Sequence, residues 1–264
     1  MRRLKTIGLC LTLMSMAGLL MAWSASAVPP EYGRCLKAEK IAKAFQGKYS
    51  NSGCTKSVTE AEKAKKGKFE WYPGAVKNKQ TSTGGPGKLE ESNKYGVSCA
   101  SESSTGEYTG TKEGKNLIVK FKGCKVVPFV CTSPGHELGE LETVPLEGRA
   151  VWENEAEHKT ALDLYPAKGH ETFIEFSCGE HEEVTVKVKG SVLVPIKADK
   201  MASTFTLKFK AKNGFQIPQE YEENDKKLKD VLYSDFTEKG YDQAGQTETV
   251  TVKNEEKLEL NAYV

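Results

Sequence analysis

Between residues 184 and 196 the chain alternates with a strict period of two. Val184, Val186, Val188, Val192, Val194 and Ile196 hold the even positions, with Gly190 in phase, while Thr185, Lys187 and Lys189 face the other way. That period belongs to a β-strand with one buried face. On a helix Val186 would point about 200° away from Val184. The run therefore predicts a long half-buried strand, bent at Gly190 and near a sheet edge at Pro195. After a turn at Ala198-Asp199-Lys200, the residues Phe205, Leu207, Phe209 and Ala211 alternate with Thr204, Thr206, Lys208 and Lys210, which predicts a hairpin. Leu117, Val119 and Phe121 alternate in the same way, and so do Leu162 and Leu164. Val250 and Val252 keep one phase with Leu258, Leu260, Ala262 and Val264 across a turn-like Asn254-Glu255-Glu256. Helix is expected only at residues 36–45, 61–68 (solvated) and 225–236, and loops at 81–87, 133–139 and 222–227. Many short strands without a fixed repeat predict an all-β antiparallel sandwich or barrel, the sandwich preferred, in a single domain over 28–264.

The first 27 residues read as an address rather than part of the fold. Arg2, Arg3 and Lys5 precede an uncharged, mainly apolar run from 7 to 23 that closes on Ala25-Ser26-Ala27, the small-x-small pattern of signal-peptide cleavage. The run falls short of the roughly 20 residues that span a bilayer, and Thr12 and Ser15 interrupt it. The expectation is a secreted chain starting at Val28 and lacking a later membrane span. Losing the three basic residues of the leader takes the net charge from +2 to −1. A balance so close to zero argues against nucleic acid as a partner.

Six cysteines follow the leader: Cys35, Cys54, Cys99, Cys124, Cys131 and Cys178. An even number in an exported chain predicts three disulfides. Spacing suggests Cys35 with Cys54 and, around Pro128, Cys124 with Cys131, leaving Cys99 with Cys178. The last two are each in phase with an apolar strand face, so both should point into the core. No paired C-x-x-C knuckle supports zinc.

The runs 104–110, 119–124 and 131–135, together with Ala244-Gly245-Gln246-Thr247, resemble segments of a group of uncharacterised secreted actinobacterial proteins. The resemblance spans most of the chain after the leader. It implies export and a shared bacterial fold and carries no activity. A weaker likeness to immunoglobulin domains fails on spacing, because Trp152 lies 53 residues past Cys99.

Chemistry-bearing motifs are sparse. His136, His170 and His181 lie beside Gly and Glu in turn-like segments and are the candidate metal ligands, without H-E-x-x-H spacing. His158 is the fourth histidine. No G-x-S-x-G elbow or phosphate-binding glycine loop is present. Trp71 and Tyr72, after Phe69, and Trp152 form a candidate aromatic ligand face. The expectation is a non-enzymatic extracellular or cell-surface binding or structural module without a cofactor, its partner an unknown extracellular ligand or cell-envelope component. The alternatives are a hydrolase built on loop carboxylates or a loop His/Glu metal, and a lipid or small-ligand carrier, which needs a barrel with an apolar interior.

Overall fold

A computed structural model describes residues 30–179, 184–196 and 200–262. The leader, His181 and the expected turn residues Ala198 and Asp199 lie outside the described residues. The chain opens with β1 (Glu31–Lys37), a small hairpin of β2 (Lys40–Ile41) and β3 (Ala44–Phe45), the helix α1 (Glu60–Lys66) and β4 (Phe69–Pro73). Next come β5 (Lys79–Gly84), β6 (Gly87–Glu91), β7 (Gly96–Cys99), β8 (Ser101–Tyr108), β9 (Glu113–Lys122), β10 (Lys125–Val126), β11 (Phe129–Thr132) and β12 (Glu140–Glu142). Then follow β13 (Leu146–Asn154), β14 (Lys159–Pro166), β15 (Thr172–Cys178), β16 (Val184–Gly190), β17 (Val192–Ile196) and β18 (Ala202–Lys212). Last are β19 (Phe215–Ile217), β20 (Glu220–Glu223), β21 (Lys226–Lys229), β22 (Leu232–Asp235) and β23 (Asp242–Ala262).

The strands close into an antiparallel eight-stranded barrel with additional strands, so the all-β reading holds and the preferred sandwich gives way to a barrel. Two circuits of pairing run around it, each in chain order. One passes through β6, β7, β10, β11, β15, β16, β22 and β23 and returns to β6. The other passes through β5, β8, β9, β13, β14 and β17, then from β18 through β23 back to β5. Its two ends, β17 and β18, are consecutive in sequence and lie side by side. Residues 79–91, 96–108, 113–126, 184–196 and 242–262 contribute to both circuits, which makes the circuits two levels of one barrel.

The clean alternation at 184–196 is one stave of that barrel. Val186, Val188, Val192 and Val194 are all buried inward. Gly190 sits where the stave passes between levels, at φ +102°, and a Cβ there would lie 2.1 Å from the Val231 carbonyl oxygen. Leu193 is buried although it points outward. The β20–β21 hairpin covers it, packing Tyr221 and Leu228 against Val151, Ala161 and Leu193 on the barrel's outer surface.

Two expected helices are strands instead. Residues 36–45 hold the end of β1 and the β2–β3 hairpin, whose turn residues Ala42 and Lys43 take positive φ. Residues 225–236 hold β21 and β22. Asn224 and Asp225, at φ 51° and 60°, make a two-residue turn between Glu223 and Lys226, the conformation a tight hairpin needs. Only α1 forms where expected, and it buries no residue. The 81–87 segment has turn composition, yet it is strand through Gly84 and again from Gly87, because β8 and β23 pair along it. The turn-like 254–256 is likewise interior to the 21-residue strand β23.

Cys35 pairs with Cys54 as expected. The other two pairings are corrected to Cys99–Cys124 and Cys131–Cys178, each with Cα atoms 4.0 Å apart. The four cysteines form a row across β7, the β10–β11 hairpin and β15. Within the hairpin the Cys131 N–H donates to the Cys124 carbonyl, and hydrogen-bonded opposite residues stand farther apart than non-bonded ones. The row therefore bonds across its two outer seams. Non-reducing peptide mapping should recover Cys99–Cys124 and Cys131–Cys178, and a Cys99–Cys178 peptide would contradict the register. Removing either bridge as a double serine variant should cost about 3–4 kcal/mol. Val186→Asp, which buries a charge inside the barrel, should cost several kcal/mol, while Lys187→Ser stays within about 0.5 kcal/mol in urea melts.

Candidate functional site

Inward-facing side chains fix what the barrel can hold. Leu117, Val119, Leu162, Leu164, Leu207 and Val250 come from four staves, β9, β14, β18 and β23, and face one interior cavity of about 160 Å³. Tyr32 of β1 reaches into it from one end. There its ring meets Tyr108 edge-on at 4.7 Å, and the Tyr108 hydroxyl donates to Asn254 Oδ1 at 2.9 Å. Burial holds both phenols well above the usual tyrosine range. At the other level Phe176 and Leu232 line the same space.

One stretch of wall is polar. Ser82, Glu102, Ser104, Gln246 and Glu248 line the cavity from β5, β8 and β23. Ser82 Oγ donates to Glu102 Oε1 at 2.8 Å and lies 2.5 Å from Ser104 Oγ. With one hydroxyl proton per serine, the relay runs from Ser104 through Ser82 to Glu102. Gln246 Nε2 donates to Glu248 Oε2 at 2.8 Å. The remaining oxygens, Glu102 Oε2 and Glu248 Oε1, are buried without a hydrogen-bond partner among the described residues. Both face the backbone where β5 gives way to β6. A Cβ on Gly84 would meet Glu248 Oε1 at 2.8 Å and Glu102 Oε2 at 3.1 Å, and one on Gly87 would meet Glu248 Cδ at 3.0 Å. The glycines flanking Gly85-Pro86 leave the room these carboxyls occupy.

The low-dielectric interior disfavours their charged forms. Burial pushes Glu248 up to about 7, helped by the neighbouring Glu102 charge and opposed by the Gln246 amide. Burial also raises Glu102, against the Ser82 hydroxyl. Glu91 is a third buried carboxyl, raised by burial although Ser234 Oγ and the Phe236 N–H donate to it. A fourth lies outside the barrel, beneath the β20–β21 hairpin. Burial, then the adjacent Asp163, pushes Asp230 up to about 8, while Arg149 Nε donates to Asp163 at 2.9 Å.

The residues singled out from sequence lie elsewhere. Trp71 packs its ring over Gly33 and donates from Nε1 to Glu259 Oε2 at 3.2 Å. Tyr72, beside it on β4, is 39 % exposed. Trp152 is buried on β13, edge-on to His158 at 6.0 Å. His136 Nδ1 stands 3.8 Å from Glu142 in the 133–139 loop, and His170 sits in the 167–171 turn, its N–H on the Ala167 carbonyl. Among the described residues, no three His, Cys, Asp or Glu side chains gather as a metal-holding group. Sequence reasoning passed over Glu102 and Glu248. The signal was present, since Glu248 continues the inward phase of Val250 and Val252 by one more step. Comparison with known proteins finds no matching family model, curated protein or solved structure.

The raised carboxyl sets a pH dependence. Folded Glu248 keeps a proton that the unfolded chain releases near 4.5, so its contribution is complete below that pH and is lost as pH rises through about 7. Glu248→Gln should match the wild type near pH 4 and exceed it at pH 8, by up to about 3 kcal/mol. Equal urea midpoints at pH 8 would contradict the burial of this group.

Proposed function

We propose that this protein is a secreted, non-enzymatic binding module that holds a small, mainly apolar ligand inside its barrel. The observation that carries the reading is the cavity itself, apolar around most of its wall and ringed by the staves of the barrel. Secretion is supported by the leader pattern at 1–27 and by three disulfides, which persist in oxidising compartments. The carrier reading gains most from the structure, because a barrel with an apolar interior was its requirement.

The cavity's size limits the ligand. At about 160 Å³ it is smaller than the roughly 300–1,000 Å³ of drug-sized pockets and suits a single ring or a short chain. Each methylene buried there should contribute about 0.8 kcal/mol, or roughly fourfold in affinity. Calorimetric titration with n-alkanols from butanol upward should therefore show affinity climbing about fourfold per carbon, then levelling once the cavity is full. Val250→Phe, which fills the space, should weaken binding at least tenfold, and Leu207→Phe should do the same from β18, directly across from it. Absence of saturable binding for every alkanol, or binding indifferent to both fillings, would overturn the reading.

A further inference from the structure

The cavity wall contains a recognition element that an apolar ligand would not use. Glu102 and Glu248 are 6 % and 4 % exposed, and each presents one oxygen that no donor of the described protein satisfies. Their other oxygens are held by Ser82 and Gln246, so the carboxyl planes are fixed. Gly84 and Gly87 supply the space they occupy, and the two free oxygens converge over the backbone of Gly84. Leaving such acceptors buried and unmatched destabilises the interior, a cost that a donor-bearing ligand would remove. Lys88 borders the cavity, but its half-exposed side chain is engaged by Glu90.

Resting on the proposed ligand-binding role of the interior, we propose that the Glu102–Glu248 pair selects a primary amine, taking its ammonium group while the apolar wall takes a short alkyl or aromatic tail. An ammonium brings three N–H donors, enough for Glu102 Oε2 and Glu248 Oε1 with one left for the Ser104 hydroxyl. It also brings a positive charge to two carboxyls that have no ion-pair partner among the described residues. A hydroxyl offers a single donor and no charge. A carboxylate would add a third negative group to two that already resist ionising, so it should be rejected.

The test compares n-hexylamine, n-hexanol and n-hexanoate, of equal tail length, by calorimetry on the full secreted chain at pH 7. The amine should bind at least tenfold more tightly than the alcohol, and hexanoate should bind more weakly than either. In Glu248→Gln, and separately in Glu102→Gln, the amine-to-alcohol ratio should fall to within about threefold, with folding checked by circular dichroism. Hexanol bound as tightly as hexylamine by the wild type would overturn the head-group assignment while leaving the apolar site standing. Tighter amine binding whose ratio survives both glutamine variants would equally overturn it. Binding of none of the three would remove the interior site and this proposal together.

Discussion

The double-sided pairing of β23 is the constraint on which the rest of this structure depends. Over its 21 residues the strand meets β22 and β6 at one level, then β18 and β5 at the other, and ends against β1. The last strand of the meander thereby returns to the first and joins both levels in one piece. A sheet closed in this way leaves no edge in the circuit through β6 and β22, and in the other circuit the two ends, β17 and β18, lie side by side. The inward phase of every stave is then committed to a shared interior. β1, laid against β23 and β4, delivers Tyr32 to the end of that interior. The row of four cysteines fixes the seams at β7–β10 and β11–β15, where the strands are shortest and backbone pairing is least extensive.

Closure also explains the chemistry inside. A carboxyl on an open sheet would turn to water, whereas Glu102 and Glu248 point into a volume walled by aliphatic side chains. The resulting bias toward the neutral form follows from burial before any specific partner is considered. The glycines at 84 and 87 belong to the same arrangement. Their missing side chains let the carboxyls lie against the backbone where the stave shifts from one level to the next. The barrel thus combines an apolar hollow with one fixed polar wall, the combination that small-ligand sites use for affinity and orientation.

The parts of this fold legible in sequence were those governed by period alone. The alternation at 184–196, 205–211 and 250–252 gave the strands and their inward faces, because barrel burial and strand period obey the same rule. Its exception, Leu193, is buried by a hairpin that periodicity cannot anticipate. Local composition misled where long-range pairing overrode it, as in the Gly- and Thr-rich 81–87 segment recruited by two neighbours. A helix at 225–236 would put Leu228, Val231 and Leu232 on one face, but the tight turn at Asn224-Asp225 pairs Leu228 into a hairpin instead. The cysteine pairing was misread because all four sites share one face and one row, so phase could not choose among them. The carboxyl pair escaped notice because a chain with 36 acidic residues gives no prior reason to favour two, although Glu248 lay in phase with the buried valines.

Native-state hydrogen exchange along β23 tests closure most directly. In a strand paired on both sides, successive amides point alternately to opposite neighbours. If the barrel is closed, amides from Val250 to Lys253, which pair with β18 on one side and β5 on the other, should all exchange only through global unfolding, with one common free energy. If β23 were instead the edge of an open sheet, every second amide in that stretch would exchange rapidly while its neighbours stayed protected. That alternating pattern would contradict the closed barrel and the enclosed interior built on it.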